Sequence, residues 1–239
     1  MINEQLVTKI RSYQPSISRL EGLQNTSILY IVGISGAGKD AITNKLLHDY
    51  PNAYTRFVSH TTRPPRLNHG KLEQDGHDYY FISFEQAERM LDNHDLIEAN
   101  LYSGNMYGTG IAELKRAHDE HRTLVTDVDV NGAAHLIKIL PRGKPVFILP
   151  PSFEVWQQRF LIRYNGELNH GDYQKRMRTA FNEITHALNH AYYYLVINDD
   201  LDITAQAVHN INNGEVADRQ PPAAVEVARS ILQDLSKII

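Results

Sequence analysis

The sequence predicts an α/β fold, a central parallel sheet with helices packed on both faces, and three observations predict it. Short apolar runs rich in β-branched residues recur at "SILYIVG" (27–33), "TLVTDVDV" (123–130), "KPVFILPPS" (144–152) and "YLVIN" (194–198). Each is preceded or followed by a stretch with helical spacing, such as "KDAITNKLLHDYP", "NGAAHLIKIL" and "SFEVWQQRFLIRY". Continuous apolar strands alternating with such helices mark a sheet buried on both sides. The third observation is size: 239 residues, 42% hydrophobic and 22% charged, can bury a substantial core.

Taken in order, residues 1–26 predict a helix and a turn outside that core. "SILYIVG" ends in glycine and reads as a buried strand. The helix after it carries Ile42, Leu46 and Leu47 on one face, and Pro51 closes it. From about Ser59 to Thr109 the character changes: Tyr, His, Arg and Gly are dense, and "HDYYFIS" and "LIEANLYSG" read as short strands. This block reads as an inserted subdomain. At the other end, "PPAAVEVARSILQDLSKII" sets Pro221 and Pro222 near a helix start, with Val227, Ile231, Leu235 and Ile238 on one face.

Composition narrows the function. A net charge of −4 gives no general basic footprint, so neither nucleic acid nor an acidic membrane is an expected partner. With no Cys, disulfides and thiolate metal sites are excluded. The first residues lack the pattern of a secretory signal, and no run approaches the roughly 18 apolar residues of a spanning helix. A cytoplasmic protein is expected. His186 and His190 lie four apart on a predicted helix, but no third ligand accompanies them, so no zinc site is expected.

The chemistry concentrates in three places. Gly33, Gly38 and Lys39 satisfy G-x-x-x-x-G-K between a predicted strand and a predicted helix. In that setting the backbone of Gly33, Ser35, Gly36, Ala37, Gly38, Lys39, Asp40 and Ala41 can turn its N–H groups on phosphate oxygens, aided by the helix start. Lys39 adds a point charge between the terminal phosphates. The second place is "SHTTRPPR", where Arg63 and Arg66 flank two prolines as a stiffened cationic hook suited to phosphate. The third is "TDVDVNG". Alternation along the strand would point Asp127 and Asp129 the same way, while one of them could instead cap the next helix.

With these places joined to the segments downstream of the hook, the chain resembles the guanylate kinases, which move a phosphoryl group from ATP to GMP. The matching segments are "GISGAGK", "SHTTRPPR", "GHDYYF", "LIEANLYSGNMYGTG", "TDVDVNG", "FILPPS" and "INDD", in family order over roughly residues 28–212. The resemblance implies a three-layer P-loop fold at 27–214, with core segments 27–58, 110–151 and 177–214. A GMP-binding subdomain at 59–109 and a lid at 152–176 would complete it. The flanks, 1–26 and the helical 215–239, have no counterpart in the minimal family pattern and could serve a homodimer.

Position by position, the resemblance makes Arg63, Arg66, Tyr79 and Tyr107 holders of the GMP phosphate. Ser59, Glu98, Thr109 and Asp129 match contacts to the guanine base. A carboxylate suits that task, because guanine offers N1–H and the 2-amino group as donors and an acceptor left unpaired is costly. Lys39, Arg63, Arg159, Arg163 and Arg176 form the implied catalytic set, the last three from the lid and its approaches. Asn198 resembles a position near the adenine end of the ATP site. Asp127 resembles the carboxylate that positions Mg²⁺, the implied cofactor beside ATP as co-substrate.

Two departures stand out within the pattern. The segment from Arg66 to Tyr79 is longer than the family pattern, and Gly70 and Glu73 are only loose stand-ins for its usual Gly-Glu. Where P-loop enzymes place a Ser or Thr hydroxyl on Mg²⁺, this chain has Asp40. A carboxylate can itself ligate magnesium. Without the metal it would repel a phosphate by about 4 kcal/mol at about 4 Å and an effective dielectric near 20. Nucleotide binding is therefore expected to depend steeply on Mg²⁺. Asp at this spot also resembles the ribose bisphosphate phosphokinases of phosphonate metabolism, which lack the full guanine-reading set. A guanylate-kinase-like binding module is the other alternative, and the intact loop speaks against it.

Overall fold

The computed structural model describes residues 2–68, 71–163 and 170–239. Along the chain run α1 (Glu4–Ser12), α2 (Ile17–Leu20), β1 (Ile28–Gly33), α3 (Lys39–Asp49), β2 (Tyr54–Arg56) and β3 (Ser59–Thr61). Next come β4 (Leu67–Asn68), β5 (Lys71–Leu72), β6 (Tyr80–Phe81), α4 (Phe84–Asp92), β7 (Leu96–Tyr102), β8 (Asn105–Gly110) and α5 (Ile111–Asp119). The rest is β9 (Thr123–Asp127), α6 (Val130–Ile139), β10 (Lys144–Leu149), α7 (Phe153–Arg163), α8 (His170–Asn189), β11 (Tyr194–Ile197), α9 (Leu201–Asn213) and α10 (Pro222–Leu235). Contacts divide the chain into two compact units, Met1–Thr26 with Thr55–Leu124, and Ser27–Tyr54 with Val125–Ile239. Among the described residues no helix is long and apolar enough to cross a membrane.

The second unit carries the expected parallel sheet, in the order β11-β10-β1-β9-β2, with the division between units falling inside β2 and β9. β1 is buried along its whole length and β10 along nearly all of it, which is why both read as unbroken apolar runs. They pair in parallel from Leu29–Lys144 to Gly33–Ile148, and β11 joins the other side of β10. Asn198, just past β11, donates its backbone N–H to the Leu149 carbonyl at 2.7 Å and extends that pairing.

Two expectations need correction here. The core stripe of α10 is Ala224, Ala228, Ile231 and Leu235; Val227 is only half-buried and Ile238 lies beyond the helix end. The alanines take the close approach, which a search for large apolar residues passes over. Nor do Asp127 and Asp129 share a strand face. β9 ends at Asp127, and Asp129 is the N-cap of α6, its Oδ1 accepting from Gly132 N–H at 2.7 Å.

The first unit is built on a four-stranded sheet, β6-β3-β8-β7, beside a two-stranded hairpin, β4-β5. One face of the larger sheet is apolar. Leu96 and Met106 meet Ala87 and Leu91 of α4 and Leu6 and Ile10 of α1 in one buried cluster. The N-terminal segment is thus two helices, and Leu6 and Ile10 are each only 2% exposed. α4 starts at a capping box in which Ser83 and Gln86 satisfy each other's backbone amides.

Candidate active site

In the second unit the chain leaves β1 and turns through residues 34–38 into α3. Gly33 must be glycine: its φ is 143°, and a Cβ there would lie 2.5 Å from the Ile148 carbonyl oxygen. Gly38, in the left-handed region at φ 98°, is the N-cap of α3. Helical bonding in this turn begins with Ile42 N–H donating to Gly38 C=O, so, as at any helix start, the leading amides have no acceptor within the helix. Lys39 arches back over the loop. Its Nζ donates to the carbonyls of Gly33 at 2.8 Å and Ile34 at 3.4 Å and stands 3.9 Å from Asp127 Oδ1. Two side chains brace the loop from outside. Trp156 Nε1–H donates to Ser35 C=O at 2.7 Å, and Asn198, 6% exposed, donates its Nδ2–H to Ala37 C=O at 2.8 Å.

Lys39, Asp40, Asp127, Asp129, Arg176 and Glu183 line one cavity of about 370 Å³ over this loop. Glu183, on α8, has its carboxyl pushed up to about 7 by burial; Lys39 works against that shift, and Asp129 and Asp127 add to it.

In the first unit the sheet face opposite the apolar cluster is polar. Ser59, Thr109 and Glu98 pair across β3, β8 and β7 and so form one row. Thr109 Oγ1–H donates to Glu98 Oε1 at 3.1 Å, and Asn100 Nδ2–H donates to Glu98 Oε2 at 3.1 Å. Beside them Arg63 is 5% exposed. Its guanidinium forks onto Glu73 at 2.6 and 3.0 Å, donates from Nε to Tyr107 Oη at 3.2 Å, and lies 5.2 Å over the Tyr79 ring. Glu73 also accepts from Arg66 N–H at 2.8 Å, while the Arg66 side chain is exposed. Arg63 holds the Glu73 carboxyl below its ordinary range, and Glu73 in turn raises the guanidinium.

Comparison with known proteins decides the family. A sequence profile described as guanylate kinase matches residues 25–214. The chain belongs to the guanylate kinase family. The guanylate kinase of Pseudomonas fluorescens (strain Pf0-1) is 36% identical over 177 residues, which is 74% of this chain and 82% of that one. That of Alkalilimnicola ehrlichii is 34% identical over 208 residues, 85% of this chain and 98% of that one. The crystal structure of guanylate kinase from Anaplasma phagocytophilum superposes with a TM-score of 0.57 at 27% identity, covering 87% of this chain and 94% of that one.

Within this guanylate kinase family member, the sequence-derived residues fall into groups. Lys39, Asp40, Asp127, Asp129 and Arg176 meet at the loop cavity. Ser59, Glu98, Thr109, Arg63, Tyr79 and Tyr107 meet on the sheet face of the first unit. Arg159 instead donates from Nη1 to the Asn198 carbonyl at 3.0 Å, and the Asn198 amide is spent on the loop. The Arg163 side chain and Gly70 lie outside the described residues. His186 and His190 stack with ring centroids 4.0 Å apart. Sequence reasoning missed Trp156 and Glu183, which reach the loop from helices far along the chain. That Trp156 is the chain's single Trp was the available signal for it.

The donor set at the cavity suits magnesium. Asp40 and Asp127 both line it, and among the described residues no group of three or more His, Asp or Glu could hold a metal. One or two carboxylates, with phosphate and water oxygens completing the shell, is how Mg²⁺ is commonly held.

Proposed function

We propose that this chain transfers the γ-phosphoryl group of ATP to GMP, giving ADP and GDP. A phosphate oxygen of GMP attacks the γ-phosphorus in line. The bond from that phosphorus to the β–γ bridging oxygen breaks, and ADP leaves with its electron pair. The chain does little covalent work; it orients two anions and offsets their charge.

The observation that carries this reading is the polar face of the first unit. A row of Ser59, Thr109 and Glu98 ends beside a buried arginine and two tyrosines. Glu98 is suited to accept from guanine N1–H and the 2-amino group, which adenine does not offer on that edge. Arg63, with Tyr79, Tyr107 and the exposed Arg66, takes the 5′-phosphate. Glu73 and Tyr107 fix the orientation of the Arg63 guanidinium. In the second unit the loop from Gly33 to Ala41 takes the ATP phosphates, with Lys39 at the terminal pair and Arg176 beside the transferred group. Asp40 and Asp127 would hold Mg²⁺, which supplies charge neutralisation between the phosphates when bound.

A coupled assay of ADP formation tests the reading, with GMP, dGMP, AMP, UMP and ribose phosphates as acceptors, with and without Mg²⁺. Fastest turnover is expected with a guanine nucleotide. Faster turnover of any other acceptor overturns it, and so does absence of ADP formation with GMP under ample Mg²⁺.

A further inference from the structure

β7 does not alternate regularly. Its pairing with β8 runs Leu96–Gly110 and then Glu98–Thr109, so β7 advances two residues while β8 advances one. Such a bulge re-aims the residues after it, because a slip of one residue moves every following side chain to the other face. The burial pattern shows the change. Leu96, Ala99 and Leu101 all contribute to the apolar cluster with α1 and α4. Glu98 and Asn100 lie on the other face, opposite Thr109 and Tyr107. Strict alternation from Leu96 would have turned Glu98 and Asn100 into that cluster. The bulge is what puts the Glu98 carboxylate on the polar face.

β7 is also the edge of its sheet, so no further strand can hold the irregular stretch. A side chain from the N-terminal segment does so. Leu96 N–H donates to Tyr13 Oη at 3.2 Å, and the Tyr13 O–H donates to Leu96 C=O at 2.6 Å. One hydroxyl thus satisfies both backbone groups of the residue that opens the bulge. Neighbouring residues tie the same segment to the turn before β7. Arg19 Nη1 donates to Asn93 C=O and Asp95 Oδ1, each at 2.7 Å, and Lys9 bridges Glu88 and Asp92 of α4.

We propose that Tyr13 is a positioning residue for base recognition: its hydroxyl holds the β7 bulge that aims Glu98 at the acceptor nucleotide. The N-terminal segment is then a working part of the nucleotide-binding unit. The proposal rests on Glu98 reading the guanine edge, and its test separates the two.

In the full chain, GMP and inosine monophosphate, which lacks the 2-amino group, are titrated calorimetrically without ATP against the wild type, Tyr13→Phe and Glu98→Gln. Phenylalanine keeps the ring packing and removes only the hydroxyl. Two buried backbone groups then lose their partner, so GMP is expected to bind about tenfold more weakly. Inosine monophosphate should lose much less, so the preference between the two nucleotides shrinks. KM for GMP should rise with kcat changed less than about twofold, the mark of lost binding in ground and transition state alike. ATP affinity should not move. If Glu98→Gln leaves the preference intact, the base-reading assignment is wrong and this proposal goes with it. If Glu98→Gln abolishes the preference while Tyr13→Phe retains it, Glu98 reads the base and the Tyr13 proposal alone is overturned. The unmodified protein gives a check that needs no folded variant. Because coupling is reciprocal, saturating GMP should slow amide exchange at Leu96 and across residues 4–20 more than saturating inosine monophosphate does. Equal effects of the two nucleotides would overturn the proposal.

Discussion

Gly38 and Asn198 form a pair whose coupling can be worked out from the structure. Gly38 has φ 98°, and a Cβ built there collides with the Asn198 side-chain amide. Gly38→Ala therefore suffers twice. A residue with a side chain held in the left-handed region costs about 1–2 kcal/mol, and the crowding adds about 1–3 kcal/mol. Asn198→Ala removes the donor to the Ala37 carbonyl, leaving a buried acceptor without that partner at about 1–3 kcal/mol. In the double variant the backbone strain and the lost bond remain, but the crowding has gone. Its loss should fall short of the sum of the single losses by about 1–3 kcal/mol. The assay is denaturant unfolding followed by Trp156 emission, because that indole donates to Ser35 in the same loop and is the chain's single Trp. Losses that add to within about 0.5 kcal/mol would refute the reasoning. They would mean that the strain at φ 98° alone makes Gly38 necessary and that the Asn198 contact is incidental.

Two further predictions concern the same cavity. Asp40→Ser removes a carboxylate from the cavity proposed to hold the ATP phosphates, where the repulsion would have a ceiling of about 4 kcal/mol and the exposure of Asp40 screens much of it. In the absence of Mg²⁺ the variant should bind ATP on the order of tenfold more tightly than the wild type, and the gap should close as Mg²⁺ is added. ATP affinities equally insensitive to Mg²⁺ in both proteins would contradict this. Glu183→Gln tests the half-buried carboxyl. With its folded value pushed up to about 7, the folded state holds a proton that the unfolded chain has already lost. The stability contributed is full below the ordinary carboxyl range and is lost as pH rises through about 7. The variant should therefore match the wild type in thermal stability at low pH and exceed it at about pH 8, an outcome excluded if the two pH profiles run parallel.

What the sequence made legible was local. The strand-loop-helix at β1 and α3 could be placed because the glycines, the lysine and the apolar run act within a few residues of one another. β10 and β11 were readable because strands covered on both faces have no polar positions to confuse the pattern. The unread features depend on contacts between distant segments. Trp156 and Glu183 come to the loop from α7 and α8, and nothing in their immediate neighbours marks them. Alternation puts the two aspartates of "TDVDVNG" on one strand face only if the strand runs past the end of β9, where Asp129 already caps α6. Regular alternation also hides the bulge at Leu96, since only pairing with β8 shows that two residues stand against one. Docking of α1 on the first unit depends on Leu6 and Ile10, two apolar residues four apart that would suit any partner face.

The segment after the arginine hook, which reads from the sequence as longer than the family pattern, closes back on itself at Arg66. Leu67 pairs with Leu72 and Asn68 with Lys71, so the segment after Arg66 folds out as the hairpin β4-β5. Its base closes where Glu73 N–H donates to Arg66 C=O at 2.9 Å and Glu73 Oε2 accepts from Arg66 N–H at 2.8 Å. A hairpin returns the chain to its starting point, so residues added at its tip change neither end, and closing a slightly longer loop costs only fractions of a kcal/mol, roughly 0.6 for a doubling. Glu73 arrives beside Arg63 and makes the bidentate contact that fixes the guanidinium. Counting residues from the hook made Glu73 a loose stand-in. Counting along the backbone with the hairpin removed puts it next to Arg66, and it is this second distance that the arginine senses.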